Sequence, residues 1–171
     1  MSLPSTNPGP LVAEVDPGRF RYSMWGNLSI GIWQDQATRE AAERILALSR
    51  RNTERFPHGH SSLIFILKGA PAPTEEANAV FEEMYRPQNH LGLGCLGLVL
   101  EGEGFWASAM RSTALGMRMR SGSDMAVRAG DSVEELLPWF VAEHFQRTGV
   151  EFSTPRLHRI LLSVRQHGTA E

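Results

Sequence analysis

The amino-acid sequence predicts an α/β domain, in which amphipathic helices cover both faces of a mixed β-sheet. The first observation is the segment 61–68, which holds five consecutive apolar residues between two loops rich in Gly, Pro and His. A short apolar run bounded by turn residues is typical of a strand buried on both faces. The second observation is that helical patterns of apolar residues precede and follow this strand, which predicts helices packed on the sheet.

The composition limits the classes of function. With 17 basic and 19 acidic side chains, the formal net charge is −2, so no excess of positive charge indicates a nucleic-acid-binding protein. The single cysteine, Cys95, has no partner for an internal disulfide, which fits a reducing compartment. The sequence shows neither a secretory signal nor an apolar run of about 20 residues. We therefore expect a cytoplasmic protein that is not transmembrane.

The chain divides into three predicted parts. Residues 1–18 contain four prolines and are expected to form a disordered tail. Residues 19–149 are expected to form the α/β domain, and residues 150–171 a helical C-terminal extension. A chain of 171 residues is long enough for one domain with a substantial core.

The domain is expected to begin with a β-hairpin. Residues 20–25 and 28–34 read as strands, and the residues Gly26-Asn27 between them tolerate the positive φ of a tight turn. Apolar residues at helical spacing then predict a helix that reaches about residue 55. Asp35 is expected to cap this helix, and the proline after Phe56 is expected to end it.

Three further strand–helix units and one extra helix complete the predicted order. The strands are predicted at 61–68, 94–101 and 125–129, and helices are predicted after them, from Thr74 to Pro87, at 105–118, and from the capping box Ser132-Val-Glu-Glu135 to Gly149. The extra C-terminal helix is predicted at 155–166, with Pro155 in its first turn.

This order resembles the SpoIIAA-like fold of the STAS superfamily, which includes the anti-sigma-factor antagonists and the bacterial STAS/SEC14-type domains. The resemblance covers residues 20–145. Its most suggestive segment is the helix 105–118, the short strand after it, and the capped helix Asp131-Ser-Val-Glu-Glu-Leu-Leu-Pro-Trp-Phe140. The resemblance implies a non-enzymatic regulatory module that binds a protein partner and associates as a homodimer.

In the antagonists, the strand that matches 61–68 leads to a helix N-terminus with a phosphorylatable serine. The Asp-Ser-Ser-Gly type of motif is absent here, and Thr74 is the only hydroxyl in the matching turn, followed by Glu75 and Glu76. Two interpretations are open. Thr74 caps the helix, or it is a phosphorylation site on an interaction surface, where Glu75 also supplies a fixed negative charge.

Large apolar residues on the later helices also allow two interpretations. Side chains at helical spacing usually belong to the core. They could instead line an apolar pocket or a dimer surface, and the SEC14-type relatives suggest a lipid-like ligand. The residues concerned are Trp106, Met110, Met117, Trp139 and Phe140.

The remaining motifs do not have the context that their chemistry requires. The glycine pattern G-x-G-x-x-G at 92–97 precedes a strand instead of a helix, which predicts close packing rather than nucleotide binding. His58 and His60 lack an evident third metal ligand, so a solvated loop is expected. Cys95 is expected to be a small buried side chain. The sequence thus predicts no metal, no cofactor and no catalytic residues, and an enzyme is the last of three hypotheses.

Overall fold

The structure is a computed structural model that describes residues 12–16, 20–89 and 91–167. Its centre is a six-stranded mixed sheet in which the strands lie side by side in chain order. The second strand pairs antiparallel with the first and with the third. The third to sixth strands pair in parallel. The strands are β1 (Val12–Asp16), β2 (Phe20–Trp25), β3 (Leu28–Trp33), β4 (His60–Ile66), β5 (Leu93–Leu100) and β6 (Ala126–Gly130).

Five α-helices cover the sheet, which confirms the predicted α/β class. The first three helices connect successive parallel strands and pack on one face, which we call the crossover face. The last two follow β6 and pack on the opposite face, which we call the α4–α5 face. The helices are α1 (Arg39–Arg55), α2 (Glu75–Tyr85), α3 (Gly104–Ser121), α4 (Val133–Thr148) and α5 (Thr154–His167).

Strand β4 lies inside the sheet and is covered on both sides, as predicted. Leu63 and Phe65 are buried under the α4–α5 face. Ile64 and Ile66, which alternate with them, belong to the crossover face. The apolar run therefore reflects burial on both faces of a parallel strand.

One prediction for the N-terminal part is wrong. Strand β1 pairs along its length with β2, from Val12 opposite Met24 to Asp16 opposite Phe20, so the expected tail 1–18 contains a strand. Alternation over only five residues among prolines was too weak a signal for a strand. Residues 1–11 and 17–19 lie outside the described residues.

Helix α1 begins later than predicted. Thr38 caps it by accepting a hydrogen bond from the Ala41 backbone N–H at 3.4 Å. The Asp35 carboxylate instead accepts the N–H of Gln36 at 2.7 Å, within the preceding loop. The hairpin before this helix is confirmed, and Gly26 in its turn has a φ of 58°.

Strand β5 and helix α4 approach each other closely, as the glycine pattern predicts. A Cβ atom on Gly97 would lie 2.9 Å from Leu136 Cδ2, and one on Gly94 would lie 2.9 Å from Arg147 Cβ. Only glycine leaves the space that these contacts use. Helix α4 also continues without a break through Pro138.

Within the described ranges, none of the helices combines the length and the apolar character that a membrane span requires.

Candidate functional site

The crossover face contains an apolar cleft between the sheet and helices α2 and α3. The cleft holds about 800 Å³ of space between protein atoms, open solvent at its mouth included, but the centre of a water-sized sphere reaches only about 90 Å³ of it. The space within the cleft is therefore narrow. Such a shape suits a single acyl chain or a thin apolar molecule better than a bulky ligand.

The walls of the cleft come from every layer of this face. Trp33, Ile64 and Leu98 form its floor on the sheet, and Phe81 of α2 and Met110 of α3 form its sides. The other apolar lining residues are Ala37, Ile45, Ile66, Ala70, Pro71, Pro73, Leu96, Ala114, Met117, Met125 and Val127. Several methionines line the cleft, and their flexible side chains can adapt to the shape of a ligand.

Three of the four polar residues that line the cleft lie near its two ends; the fourth, Thr113, lies on α3 between them and donates its hydroxyl to the Ala109 carbonyl at 3.0 Å. Asp35 lies at the end where strand β3 has finished, and its side chain is exposed. Tyr85 and Arg118 lie in the last turns of α2 and α3. Because a crossover helix runs back against its strands, these last turns lie at the opposite end, where the parallel strands begin.

Tyr85 lies at a junction between two concave regions. It lines the apolar cleft and also a more polar groove that contains Ser49, Arg86 and Asp124. Burial raises the pKa of Tyr85, so the phenol stays protonated and can donate a hydrogen bond. No hydrogen-bond partner of this hydroxyl is found among the described residues.

The structure separates the five residues predicted to form a pocket or a dimer surface. Met110 and Met117 line the cleft. Trp106 lies beside it and donates a hydrogen bond from its indole Nε1 to the Ala70 carbonyl at 2.9 Å. Trp139 and Phe140 belong to the α4–α5 face, where Phe140 is fully buried. The grouping of these five residues is therefore not reproduced, because a helical pattern does not tell which face of a sheet its helix covers.

The second predicted surface lies at the start of α2. Thr74 caps this helix, and its hydroxyl accepts the Ala77 N–H at 3.2 Å. Its own backbone N–H is bonded to the Ala37 carbonyl at 3.0 Å, which ties the turn to the start of α1. Glu75 and Glu76 are exposed beside it. The cap is thus observed, and phosphorylation of Thr74 stays a prediction.

A buried polar network lies on the other side of the sheet, where β4 and β5 begin beneath α4. His144 of α4 is fully buried, and its Nδ1 lies 2.8 Å from the Ser61 hydroxyl. Cys95 donates from its thiol to the same hydroxyl at 3.3 Å. On the other side of the ring, Nε2 lies 3.2 Å from the Thr148 hydroxyl.

The hydrogen bonds determine which nitrogen of His144 carries the proton. The Thr148 hydroxyl donates its single hydrogen to the His144 carbonyl at 2.8 Å, so it must accept from Nε2–H. Nδ1 then has a free lone pair that accepts the hydroxyl proton of Ser61, and Ser61 in turn accepts from Cys95. The side-chain groups are satisfied with a neutral imidazole.

His60, the first residue of β4, is buried next to this network. It was expected in a solvated loop, but it is only 1% exposed, and neither ring nitrogen has a hydrogen-bond partner among the described residues. Burial lowers the pKa of His60 to about 4. Burial, and then the charge that His60 would carry, lower the pKa of His144 to about 4. Burial raises the pKa of Cys95 to about 12, so its thiol stays protonated.

A serine hydroxyl donating to a histidine is the arrangement of an activated nucleophile. Here Ser61 and His144 are both fully buried, and neither lines the apolar cleft. Aromatic rings also cover the imidazole, since the ring of Phe152 stacks on His144 at 4.4 Å between centroids. The network is therefore best explained as hydrogen bonding that satisfies buried polar groups. Across the described part of the chain, no three His, Cys, Asp or Glu side chains are placed to hold a metal ion.

Comparison with protein-family models, with curated proteins and with solved structures finds no match. The resemblance to the SpoIIAA-like fold therefore stays a prediction, and the site is interpreted from its geometry alone.

Two features of the site were not predicted from the sequence. Tyr85 and Arg118 lie in the last turns of α2 and α3, where polar residues are common, so nothing distinguished them. The buried network left a signal that was overlooked. Leu136, Phe140, His144 and Thr148 recur every four residues, which extends the buried face of α4. Phe145, the residue after His144, lies off this face and is 53% exposed.

Proposed function

We propose that this protein binds a slender apolar small molecule or the acyl chain of a lipid in the cleft of the crossover face. The observation that carries the proposal is a narrow cleft, lined almost wholly by apolar side chains, beneath α2 and α3. The core of a domain is normally packed to a density that leaves few such spaces, and an open apolar cleft is typical of a ligand site.

The unequal burial of the two sides of strand β4 supports the proposal. Leu63, on the α4–α5 face, is fully buried, whereas Ile64, the next residue, is only partly buried because it forms the floor of the cleft. Apolar surface left open inside a fold costs about 25 cal/mol per Å² relative to burial. A ligand chain that covers this floor recovers that free energy.

The experiment uses tryptophan fluorescence as a local probe. Trp33 lines the cleft and Trp106 lies beside it, whereas Trp25 and Trp139 belong to the α4–α5 face. A dodecanol chain that carries bromine should quench part of the emission, and Trp33→Phe should reduce the quenched part. Saturation at one chain per protein supports the proposal. Absence of quenching at concentrations below micelle formation would refute it.

A blocking variant tests the location. Ala114→Leu places three more carbons in the cleft, and we expect dodecanol binding to weaken at least tenfold while the melting temperature is kept. The matched control is Ala142→Leu, on the exposed side of α4, which should leave binding unchanged. Equal binding by both variants would place the ligand elsewhere. Native mass spectrometry of the purified protein would identify any lipid that it retains.

The regulatory module implied by the SpoIIAA-like resemblance is the second candidate. One observation favours it, since α3 carries two exposed apolar residues, Leu115 (47%) and Met119 (81%), on the side opposite the cleft. Such residues are common in protein interfaces. Replacement of both by Gln should abolish self-association or partner capture if α3 forms the interface, and should leave dodecanol binding intact. Enzymatic activity is the weakest hypothesis.

A further inference from the structure

We infer that the ligand of the cleft is an anionic amphiphile, whose carboxylate is bound by Arg118 and whose apolar chain lies along the cleft. This inference rests on the proposed function, and it specifies the chemical class of the ligand and its direction in the site.

The charge of the Arg118 guanidinium supports this inference. Its side chain is half-buried and lines the apolar cleft. Its neighbours on α3 are paired, since Arg111 contacts Asp131 and Arg120 bonds to Glu82 at 2.5 Å. For Arg118, no ion pair is found within residues 20–89 and 91–167. A partly desolvated guanidinium without a counter-charge is unfavourable, and a ligand carboxylate would compensate it through two parallel hydrogen bonds.

The opposite charges at the two ends of the cleft also support the inference. Asp35 is the only acidic residue of the described lining, and it belongs to the loop after β3. Arg118 lies in the last turn of α3, near where β6 begins. An anion at Asp35 would be repelled, and an anion at Arg118 would be attracted. The two charges therefore orient an amphiphile with its head toward Arg118 and its tail toward Asp35.

The polar groups near the Arg118 end of the cleft give further support. The Tyr85 hydroxyl is a donor without a partner in the described part of the chain, and it lines the same cleft. Between Met110 and Arg118, helix α3 rises about 12 Å, which leaves room for an extended chain between head and tail. The acidic groups near this end are engaged or exposed: Glu82 pairs with Arg120, and Asp124 faces the adjoining groove.

The test compares two probes of equal chain length, dodecanoate and dodecanol, at pH 8 by isothermal titration calorimetry. We expect dodecanoate to bind about ten- to a hundredfold more tightly, the range for one charge-assisted hydrogen bond. Arg118→Gln should remove this preference while dodecanol binding is kept. Arg118→Lys keeps the charge but cannot form the two parallel hydrogen bonds of a guanidinium, so it should retain part of the preference for dodecanoate. The control is Arg159→Gln on the exposed side of α5, which should behave as wild type.

The outcomes separate this inference from the proposed function. If both probes bind equally and Arg118→Gln changes neither, the anionic head is refuted, and the cleft remains a site for neutral chains. If neither probe binds, the proposed function is refuted, and the inference falls with it. If dodecanoate preference is lost equally in Arg118→Gln and Arg159→Gln, the effect is one of net charge, and the assignment to Arg118 is overturned. Melting curves of each variant show that the fold is kept.

Discussion

The two faces of the sheet are packed to different degrees, although the same strands contribute to both. On the α4–α5 face, Gly97 lets Leu136 and Phe140 lie directly on β5, and the interior is closed enough to hold a neutral histidine. On the crossover face, α2 and α3 leave a narrow apolar cleft, and Arg118 lines it without an acidic partner in the described residues. Only one face is therefore packed as a core throughout.

This difference indicates a division of roles. On the α4–α5 face, Ser61, His144 and Thr148 satisfy one another's side chains by hydrogen bonds, whereas neither ring nitrogen of the neighbouring His60 has a partner among the described residues. On the crossover face, the Tyr85 hydroxyl and the Arg118 guanidinium line the cleft without a side-chain partner among the described residues. Variants of the first face should therefore change stability, and variants of the second should change binding.

The largest expected effect is a loss of stability in acid that originates on the α4–α5 face. Burial lowers the pKa values of His60 and His144 to about 4, below the unfolded value of about 6.5. The unfolded chain then binds protons that the native protein does not, so the stabilisation is complete above pH 6.5 and is lost as the pH falls toward 4. Each ring should contribute roughly 3 kcal/mol at pH 4. Urea denaturation between pH 7 and pH 4 measures this loss.

His144→Phe tests the assignment to this face. The variant keeps an aromatic ring between Phe140 and Phe152 but cannot be protonated. It should be less stable at pH 7, because Ser61 and Thr148 lose a partner, and its stability should fall less steeply with acid. Phe140→Leu is a suitable control, since it destabilises the same face and keeps both histidines. If the slopes of the two variants are equal, His144 is not a cause of the loss.

An intermediate effect is expected from one added methyl group. In Gly97→Ala the new Cβ would lie 2.9 Å from Leu136 Cδ2, so α4 or β5 must shift, at a cost of about 1–3 kcal/mol. In the control, Gly31→Ala, the nearest atom is Ile64 Cγ1 at 3.4 Å on the crossover face. That change should be neutral or slightly stabilising, because the contact is an ordinary one and alanine lowers the conformational entropy of the unfolded chain.

The comparison requires that the two alanine variants differ in their midpoints of thermal unfolding. Similar destabilisation by Gly97→Ala and Gly31→Ala would show that the two faces are packed alike, which would contradict the looser packing inferred for the crossover face.

The smallest expected effect is a difference between two helix caps, Thr74 and Ser132. Thr74→Ala and Ser132→Ala each remove a cap, on α2 and on α4, and each should cost about 1 kcal/mol. Only Thr74 holds a helix that forms a wall of the cleft, so Thr74→Ala should also weaken dodecanol binding by a few fold. Chemical denaturation and calorimetry together check this. Weaker binding in Ser132→Ala to the same extent would contradict it.

The Thr74 variant also bears on the predicted phosphorylation site. If Thr74→Ala changes stability but no protein partner is lost in pull-downs, the hydroxyl is a cap, and the regulatory interpretation of Thr74, Glu75 and Glu76 has no support.

Most of the fold was predictable because each element carries a local signal. The hairpin showed alternation and a Gly-Asn turn, β4 showed a continuous apolar run, and α4 began with Ser132 and Glu135. In the structure the Ser132 hydroxyl accepts the Glu135 N–H at 3.2 Å, and the Glu135 carboxylate accepts the N–H of Asp131 at 2.8 Å. These signals act within one turn or one strand, so they can be read without the rest of the molecule.

The candidate site was only partly predictable. Met110 and Met117 were recognised as residues that could line a pocket, but they were grouped with Trp139 and Phe140, which lie across the sheet. Strand β1 was missed because its pairing with β2 connects residues whose own pattern is weak. In each case the deciding contact joins segments that lie apart in the chain.

The sequence by itself determined the class of the fold, the order of its elements and the burial of β4 on both sides, because periodicity and capping are properties of neighbouring residues. Tertiary structure alone decided that α1, α2 and α3 share one face, that His60 and His144 are buried together, and that Arg118 lines an apolar cleft. The physical reason is that burial and the pairing of charges depend on which surfaces meet, and no local pattern states this.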